Sequence, residues 1–168
     1  MALTLPTRIE VSRLGWAAYA LAGLTVALDQ LSKAWFLSLH LGPAERLPVL
    51  PPIFFLSSVA NDGVSFGLFK AHNGPMRWVL VGLALVVAGA LADYARKTTR
   101  PLIAAALGLI IGGAVGNNLI DRVRFGSVVD FLDFSGLYFP WVFNVADSAI
   151  TVGVALLIAD LYFAQKKA

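Results

Sequence analysis

The sequence has no cysteine, only two histidines and little charge. Charged residues make up 14% of its 168 residues, whereas ordinary soluble domains average about 25%. The absence of cysteine excludes thiol nucleophiles, disulfide frameworks and cysteine-ligated zinc or iron–sulfur sites. His40 and His72 are too few and too scattered to suggest a histidine metal site. We therefore expect no metal and no other cofactor.

Apolar residues dominate the composition instead, at 58% of the chain. A soluble fold of this size could not bury so much apolar surface, and a disordered chain would carry more charge. Four long apolar stretches occur, at roughly 14–37, 76–93, 101–120 and 141–163. Each approaches the ~20 residues that a helix needs to cross a hydrocarbon core of about 30 Å. The sequence predicts a mainly α integral membrane protein, with four transmembrane helices in a single membrane domain spanning 1–168.

Basic residues indicate how these helices are oriented. With four spans, the N-terminus, the 93–100 loop and the C-terminus share one side, which carries seven Lys and Arg residues in short segments. The other side carries five, so both termini are expected in the cytoplasm. The first apolar stretch leads into polar residues 29–33 without a small-residue cleavage site, which argues against a cleaved signal. The basic residues form no run, and we expect no nucleic-acid partner.

The outer loop, residues 40–75, has a pattern of its own. Pro48, Pro51 and Pro52 interrupt it, residues 53–59 are rich in strand-forming side chains, and Asn61-Asp62-Gly63 has turn chemistry. This pattern predicts a small extramembrane β-sheet within 40–75 on the outer membrane surface.

Polar residues at membrane depth are costly and call for a partner, water or a function. Asp29 and Lys33 have the i,i+4 spacing of an ion pair on the first span, which would orient the outer end of that helix. A transporter would instead use Asp29 as a proton carrier. At the end of the third span, Asn118, Asp121 and Arg122 share a face if the helix continues. The alternative for that segment is a set of packing glycines and a capped helix end.

Two carboxylates can meet at the outer end of the fourth span. Asn144, Asp147, Ser148 and Thr151 form a polar stripe on this helix, and Asp130 lies among apolar residues shortly before it. Repulsion and desolvation in a shared site leave one carboxyl neutral and one ionised. The ionised group can then take a proton from an attacking water, while the neutral group donates to the developing oxyanion.

Five segments, in this order, resemble the lipoprotein signal peptidase family, also called signal peptidase II. They are Asp29-Gln30-Leu31-Ser32-Lys33, Asn61-Asp62-Gly63-Val64-Ser65-Phe66, Gly112 to Arg122, Val128-Val129-Asp130-Phe131 and Phe143-Asn144-Val145-Ala146-Asp147-Ser148. The resemblance implies an aspartyl endopeptidase of the bacterial inner membrane, with its active site near the periplasmic face. Such an enzyme cleaves prolipoproteins just before a diacylglyceryl-modified cysteine. The family also has a small sheet and a short surface helix outside the membrane.

The resemblance also implies roles for individual residues. Asp130 and Asp147 match the catalytic pair. The substrate-binding positions correspond to Asn118, Arg122, Asn144, Asn61 and Gly63, and Asp29, Lys33 and Asp121 correspond to structural or positioning residues. The segment from Gly116 to Arg122 has one residue more than the family pattern, so counting back from Asp121 favours Asn118 and counting forward from Gly113 favours Asn117.

Partners follow from the same resemblance, namely diacylglyceryl-modified prolipoproteins and membrane lipids, and nothing in the sequence requires more than one chain. Two other functions are open to sequence reasoning. One is a proton-coupled transporter that uses Asp29, Lys33 and Asp147, and the other is a noncatalytic assembly factor that packs partners against its small-residue faces.

Overall fold

The fold was obtained as a computed structural model, which describes residues 10–42, 45–63 and 74–165. Its helices are α1 Arg13–Ser38, α2 Gly74–Lys97, α3 Pro101–Ala114, α4 Arg122–Phe125 and α5 Val145–Gln165, and its strands are β1 Arg46–Leu50, β2 Phe54–Asn61, β3 Val128–Asp133 and β4 Val142–Phe143. A π-helix, Val115–Asp121, joins α3 to α4, and a 3₁₀ turn, Ser135–Leu137, lies between β3 and β4. The prediction of a mainly helical chain with a small antiparallel sheet is confirmed.

Local sequence signals account for several helix ends. The Ser12 hydroxyl accepts a hydrogen bond of 2.8 Å from the Gly15 backbone N–H and so caps α1. Pro101 occupies the first turn of α3, where its missing N–H costs nothing. Gly126 ends α4 with a φ of 85°, a conformation that glycine adopts without strain.

Three helical segments are long and apolar enough to cross a membrane: Gly74–Lys97, Pro101–Phe125 and Val145–Ala164. The predicted first span is a 26-residue helix, α1, as expected. It is not among these three, because Asp29, Gln30 and Lys33 lower the hydropathy of its second half.

The third helix is central, since α3 packs against α1, α2 and α5. Glycines make two of these contacts possible. A Cβ on Gly112 would lie 2.6 Å from the Ala22 carbonyl oxygen of α1, and a Cβ on Gly113 would lie 2.6 Å from the Ala146 carbonyl oxygen of α5. The packing glycines, which the sequence left open as an alternative for this segment, are therefore present in the fold.

The sheet has four antiparallel strands in the order β1-β2-β3-β4. The predicted range of the sheet, residues 40–75, was too narrow, because β3 and β4 come from the segment before α5. The fourth span was also predicted to begin too early. Residues 142 and 143 pair with β3, so helix α5 begins only at Val145.

The short surface helix finds no counterpart in the described part of the outer loop. Residues 40–42 and 45–63 contain two strands and no helix, and residues 64–73 lie outside the described part of the chain. An apolar cluster of Phe36, Leu56 and Phe131 joins the end of α1 to the sheet. The Phe36 and Phe131 rings stack with centroids 4.9 Å apart, which fixes β3 beside the helices.

Candidate active site

Two carboxylates line one cavity at the junction of the sheet and α5. Asp130 lies on β3 and Asp147 in the first turn of α5. The cavity has a volume of about 820 Å³ and also includes the turn at Asn61 and Gly63 and the apolar segment 139–143. The two aspartates are therefore brought to a common site.

Asn144 connects the two aspartates. Its side-chain Nδ2 donates to Asp130 Oδ1 at 2.6 Å, and its backbone N–H donates to Asp147 Oδ2 at 3.2 Å. In return, Asn144 Oδ1 accepts from the Asp147 backbone N–H at 2.9 Å. These reciprocal bonds across three residues have the form of a capping box at the start of a helix. The residue that caps α5 thus also orients the carboxylate of Asp147 and binds that of Asp130.

Asp130 is only 2% exposed. Burial raises its pKa to about 7, and the negative charge of Asp147 acts in the same direction. Amide hydrogen bonds from Asn61 Nδ2, at 3.0 Å, and from Asn144 oppose this increase in the pKa of Asp130. A carboxyl group with a pKa near 7 can hold or release a proton at physiological pH, as an acid–base catalyst must.

Arg122 anchors the turn that forms one wall of the cavity. Its buried guanidinium donates to the backbone carbonyls of Asp62, at 3.4 Å, and Gly63, and to Asn118 Oδ1 at 3.3 Å. A smaller cavity of about 80 Å³ lies beside these groups and includes Asp147. The structure thus brings Asn61, Gly63, Asn118, Arg122 and Asn144 to the neighbourhood of the two aspartates.

Residues Val115–Asp121 form a π-helix, and the wider turn of a π-helix takes up one residue more than an α-helical turn. The segment is not a continuous α-helix, which was the condition under which Asn118, Asp121 and Arg122 were expected to share one face. Both asparagines reach the site, but with different partners. Asn117 Nδ2 donates to Asp147 Oδ1 at 2.8 Å, whereas Asn118 contacts Arg122. The choice between Asn118 and Asn117 for contact with substrate concerns a different interaction and stays a prediction.

Asp29, Lys33 and Asp121 are buried behind the cavity and do not line it. The predicted ion pair is confirmed, with Lys33 Nζ 2.8 Å from Asp29 Oδ2. Asp121 joins it, with its Oδ2 2.7 Å from the same ammonium group. All three charges are thus engaged with one another within the protein. Among the described residues, no group of three or more His, Asp and Glu side chains could hold a metal ion.

Apolar helices, a sheet at their end, and a buried Asp130 beside a half-buried Asp147 on one open cavity are features of a membrane protein with a carboxylate-lined site. Comparison with known proteins identifies it further. The family model described as signal peptidase (SPase) II matches residues 21–163. The chain belongs to the signal peptidase II family.

Curated relatives cover nearly the whole chain. The lipoprotein signal peptidase of Caulobacter vibrioides is 54% identical over 94% of this chain and 94% of its own. The protein of the same name from Methylobacterium sp. is 42% identical over 88% of this chain and 90% of its own. That of Brevibacillus brevis is 39% identical, with corresponding shares of 89% and 97%.

Two solved structures described as bacterial membrane enzymes share the fold. The first aligns with a TM-score of 0.80 at 27% identity, over 94% of this chain and 94% of that one. The second aligns with a TM-score of 0.75 at 27% identity, over 92% of this chain and 97% of the other. Family membership and these enzyme structures favour a protease over the transporter and assembly-factor hypotheses.

Proposed function

We propose that this chain is an aspartyl endopeptidase that removes the signal peptide from diacylglyceryl-modified prolipoproteins by cleaving just before the lipidated cysteine. The observation that carries the proposal is the convergence of Asp130 and Asp147 on one cavity, with Asn144 bonded to both. Membership of the signal peptidase II family and relatives named lipoprotein signal peptidase support the substrate class.

In this mechanism Asp130 carries the proton and Asp147 is ionised. Asp147 accepts hydrogen bonds from Asn117 Nδ2 and from the Asn144 backbone N–H, at a helix N-terminus that stabilises negative charge. Its carboxylate takes a proton from the water that attacks the scissile carbonyl. Asp130, with its pKa near 7, donates a hydrogen bond to the oxyanion and then its proton to the leaving amine. Both groups return to their starting state once the products leave and a proton passes back to Asp130.

Substrate binding follows from the walls of the cavity. Its apolar side includes Phe139, Trp141, Ile150 and Val152, which suit a signal helix or acyl chains. On the polar side, Asn61, Gly63, Asn118 and Arg122 would position the peptide backbone. Substrate held in the bilayer by its acyl chains would reach this cavity at interface depth.

The membrane arrangement we propose includes α1 as a fourth span. Leu24, Leu28 and Leu31 of α1 are each more than half exposed, as lipid-facing side chains are. Both termini would then lie in the cytoplasm of a bacterial inner membrane, with the cavity near the periplasmic face, and one chain would suffice for activity.

Exchange of either carboxylate for an amide tests the mechanism. Asp130→Asn and Asp147→Asn should each lower cleavage of a diacylglyceryl-modified precursor by about 10²–10⁴-fold, because each removes a proton-transfer group. The measurement is turnover by purified protein in detergent or lipid. Asp93→Asn, at an exposed carboxylate of α2 paired with Arg96, is the matched control and should retain full activity. Normal turnover by either active-site variant would refute the dyad.

Metal removal gives a second test. Because a carboxylate pair can activate water without a Lewis acid, incubation with EDTA or 1,10-phenanthroline should leave cleavage unchanged. Activity lost on chelation and restored by added zinc would contradict the mechanism.

A further inference from the structure

Asp62 is an acidic residue on the wall of the active-site cavity, and the proposed mechanism does not use it. It directly follows β2, in the turn between Asn61 and Gly63, and it is exposed. Its carboxylate forms no ion pair with another residue of the described part of the chain. A charge in this position is available to a molecule that binds in the cavity.

The turn that carries Asp62 is held in place by other groups. The Gly63 N–H donates to Asn61 Oδ1 at 3.1 Å and closes an Asx turn around Asp62. Arg122 Nη1 donates to the Asp62 carbonyl oxygen at 3.4 Å, and Arg122 Nη2 donates to the Gly63 carbonyl oxygen. None of these bonds uses the Asp62 carboxylate, so its charge is not needed to build the turn.

The cavity carries an excess of negative charge. Within the described part of the chain, the charged residues that line it are all acidic, namely Asp62, Asp130 and Asp147. Behind the wall, the buried cations Lys33 and Arg122 are balanced in number by the buried carboxylates of Asp29 and Asp121. Even with one proton held by the dyad, the carboxylates of the wall therefore give the cavity a negative potential.

Asp62 lies where the substrate chain would leave the site after the cleavage point. The apolar wall, which includes Trp141 and Ile150, suits the signal helix, so the chain after the lipidated cysteine runs toward the outer solution. Asn61, next to Asp62, donates to Asp130 Oδ2 at 3.0 Å, which places this turn beside the dyad. An extended peptide advances about 3.3 Å per residue, so the two residues after the cysteine pass roughly 5–10 Å from the scissile bond. The side chain that follows Asn61 can interact with them.

We propose that Asp62 is a specificity-determining residue, which favours basic and disfavours acidic residues at the two positions after the lipidated cysteine of the substrate. The proposal rests on the proposed function, because it concerns the substrate of the same cavity. Asp62 takes no part in proton transfer. Its carboxylate acts on the substrate through its charge.

The main experiment compares three diacylglyceryl-modified precursors that differ only at these two positions, which hold two lysines, two glutamines or two glutamates. Wild-type kcat/KM should decrease in that order. Attraction of the lysines and repulsion of the glutamates by an exposed carboxylate should each contribute about 1.5–5-fold. The ratio of kcat/KM for the lysine precursor to that for the glutamate precursor should therefore be about 2–25-fold smaller in Asp62→Asn. A general loss of activity in the variant cancels in this ratio.

Glu45→Gln is the matched control. Glu45 adjoins β1 of the same sheet and is exposed, but it does not line the cavity. The substitution removes the same charge without removing it from the path of the substrate, so it should keep the wild-type ratio. An unchanged ratio in Asp62→Asn, or an equal decrease in Glu45→Gln, would overturn the proposal.

Charge reversal gives a second test. In Asp62→Lys the ratio of kcat/KM for the lysine precursor to that for the glutamate precursor should fall below the ratio in Asp62→Asn, because the introduced ammonium group repels lysine and attracts glutamate. A ratio in Asp62→Lys equal to or above that in Asp62→Asn would contradict an effect of charge.

Salt provides a measurement that needs no variant, and it decides the question if the substituted proteins do not fold. Raising NaCl from about 50 to about 500 mM should bring the wild-type ratio closer to one, because salt screens interactions between exposed charges. A wild-type ratio that equals one at low salt, or that does not change with salt, would refute the proposal.

Failure of this proposal can be distinguished from failure of the proposed function. If the wild type cleaves none of the three precursors, the proposed function is refuted. If the wild type cleaves them and Asp130→Asn does not, while the ratio is the same in the wild type and in Asp62→Asn, the function stands and only the role of Asp62 is lost.

Discussion

Asp130 is held in a site whose features have opposite effects on its charge. Near-complete burial and the charge of Asp147 favour the protonated form, whereas the amides of Asn61 and Asn144 favour the carboxylate. The net result is a pKa of about 7, well above the ordinary 3.8. The surroundings of this residue therefore keep a proton available at the pH at which a cell would use the enzyme.

The raised pKa of Asp130 makes stability depend on pH. Between about pH 4 and pH 7 the folded state binds more protons at Asp130 than the unfolded state, so stability falls as pH rises through this range. Asp130→Asn cannot ionise and removes this contribution. The melting temperature of the variant minus that of the wild type should therefore increase from pH 5 to pH 8 in a thermal scan. A constant difference would show that Asp130 has an ordinary pKa.

At the scale of elements, the first turn of α5 combines a helix cap with Asp147, one carboxylate of the proposed dyad. The Asn144 side chain accepts a hydrogen bond from the Asp147 N–H, and the Asp147 carboxylate accepts one from the Asn144 N–H. The same two bonds thus begin the helix and orient the carboxylate of Asp147. Asn-x-x-Asp before an apolar run is a helix-start signal, and it could have placed the beginning of this helix at Val145 rather than at residue 141.

The contact between α3 and α1 depends on Gly112. A Cβ there would lie 2.6 Å from both the Ala22 carbonyl oxygen and the Thr25 Cβ, so the helices would have to separate. Gly112→Ala should destabilise the protein by about 1–3 kcal/mol, the usual range for overpacking. The measurement is a denaturation midpoint in detergent.

Gly89→Ala is the control for this prediction. Within the described part of the chain, no heavy atom beyond the adjacent residues and the backbone of α2 lies within 4 Å of a Cβ built on Gly89, so the variant should be as stable as the wild type or slightly more stable. Equal destabilisation by both substitutions would show that the close approach of α1 to Gly112 is not the cause of the destabilisation.

At the scale of the whole molecule, the proposed topology places the sheet and both termini on opposite sides of the membrane. The absence of native cysteine allows a direct test, because single introduced thiols have no background. Glu45→Cys, beside β1, should react with a membrane-impermeant maleimide in spheroplasts, whereas Lys97→Cys, at the end of α2, should react only after permeabilisation. Labelling of both from the same side would refute four spans.

Several properties of the molecule could be predicted from the chain alone. Four apolar stretches predicted four long helices, because a backbone surrounded by apolar groups must form its hydrogen bonds within its own segment, as a helix does. The Asp29–Lys33 pair was predictable from a spacing within one helix. The strand at residues 53–59 was predictable from its side chains, whereas β3 and β4 were not, since Val128–Asp133 and Val142–Phe143 form strands by pairing with distant segments.

The sequence by itself determined the apolar character of the four long segments, their approximate helical length and the few polar groups that they must accommodate. Only the tertiary structure decided which polar groups meet. The π-helix turned Asn117 rather than Asn118 toward Asp147, and Asp121 joined Lys33 across 88 positions of sequence. Helix period and hydropathy act over a few residues, whereas such contacts depend on how separate elements pack, and that is a property of the whole chain.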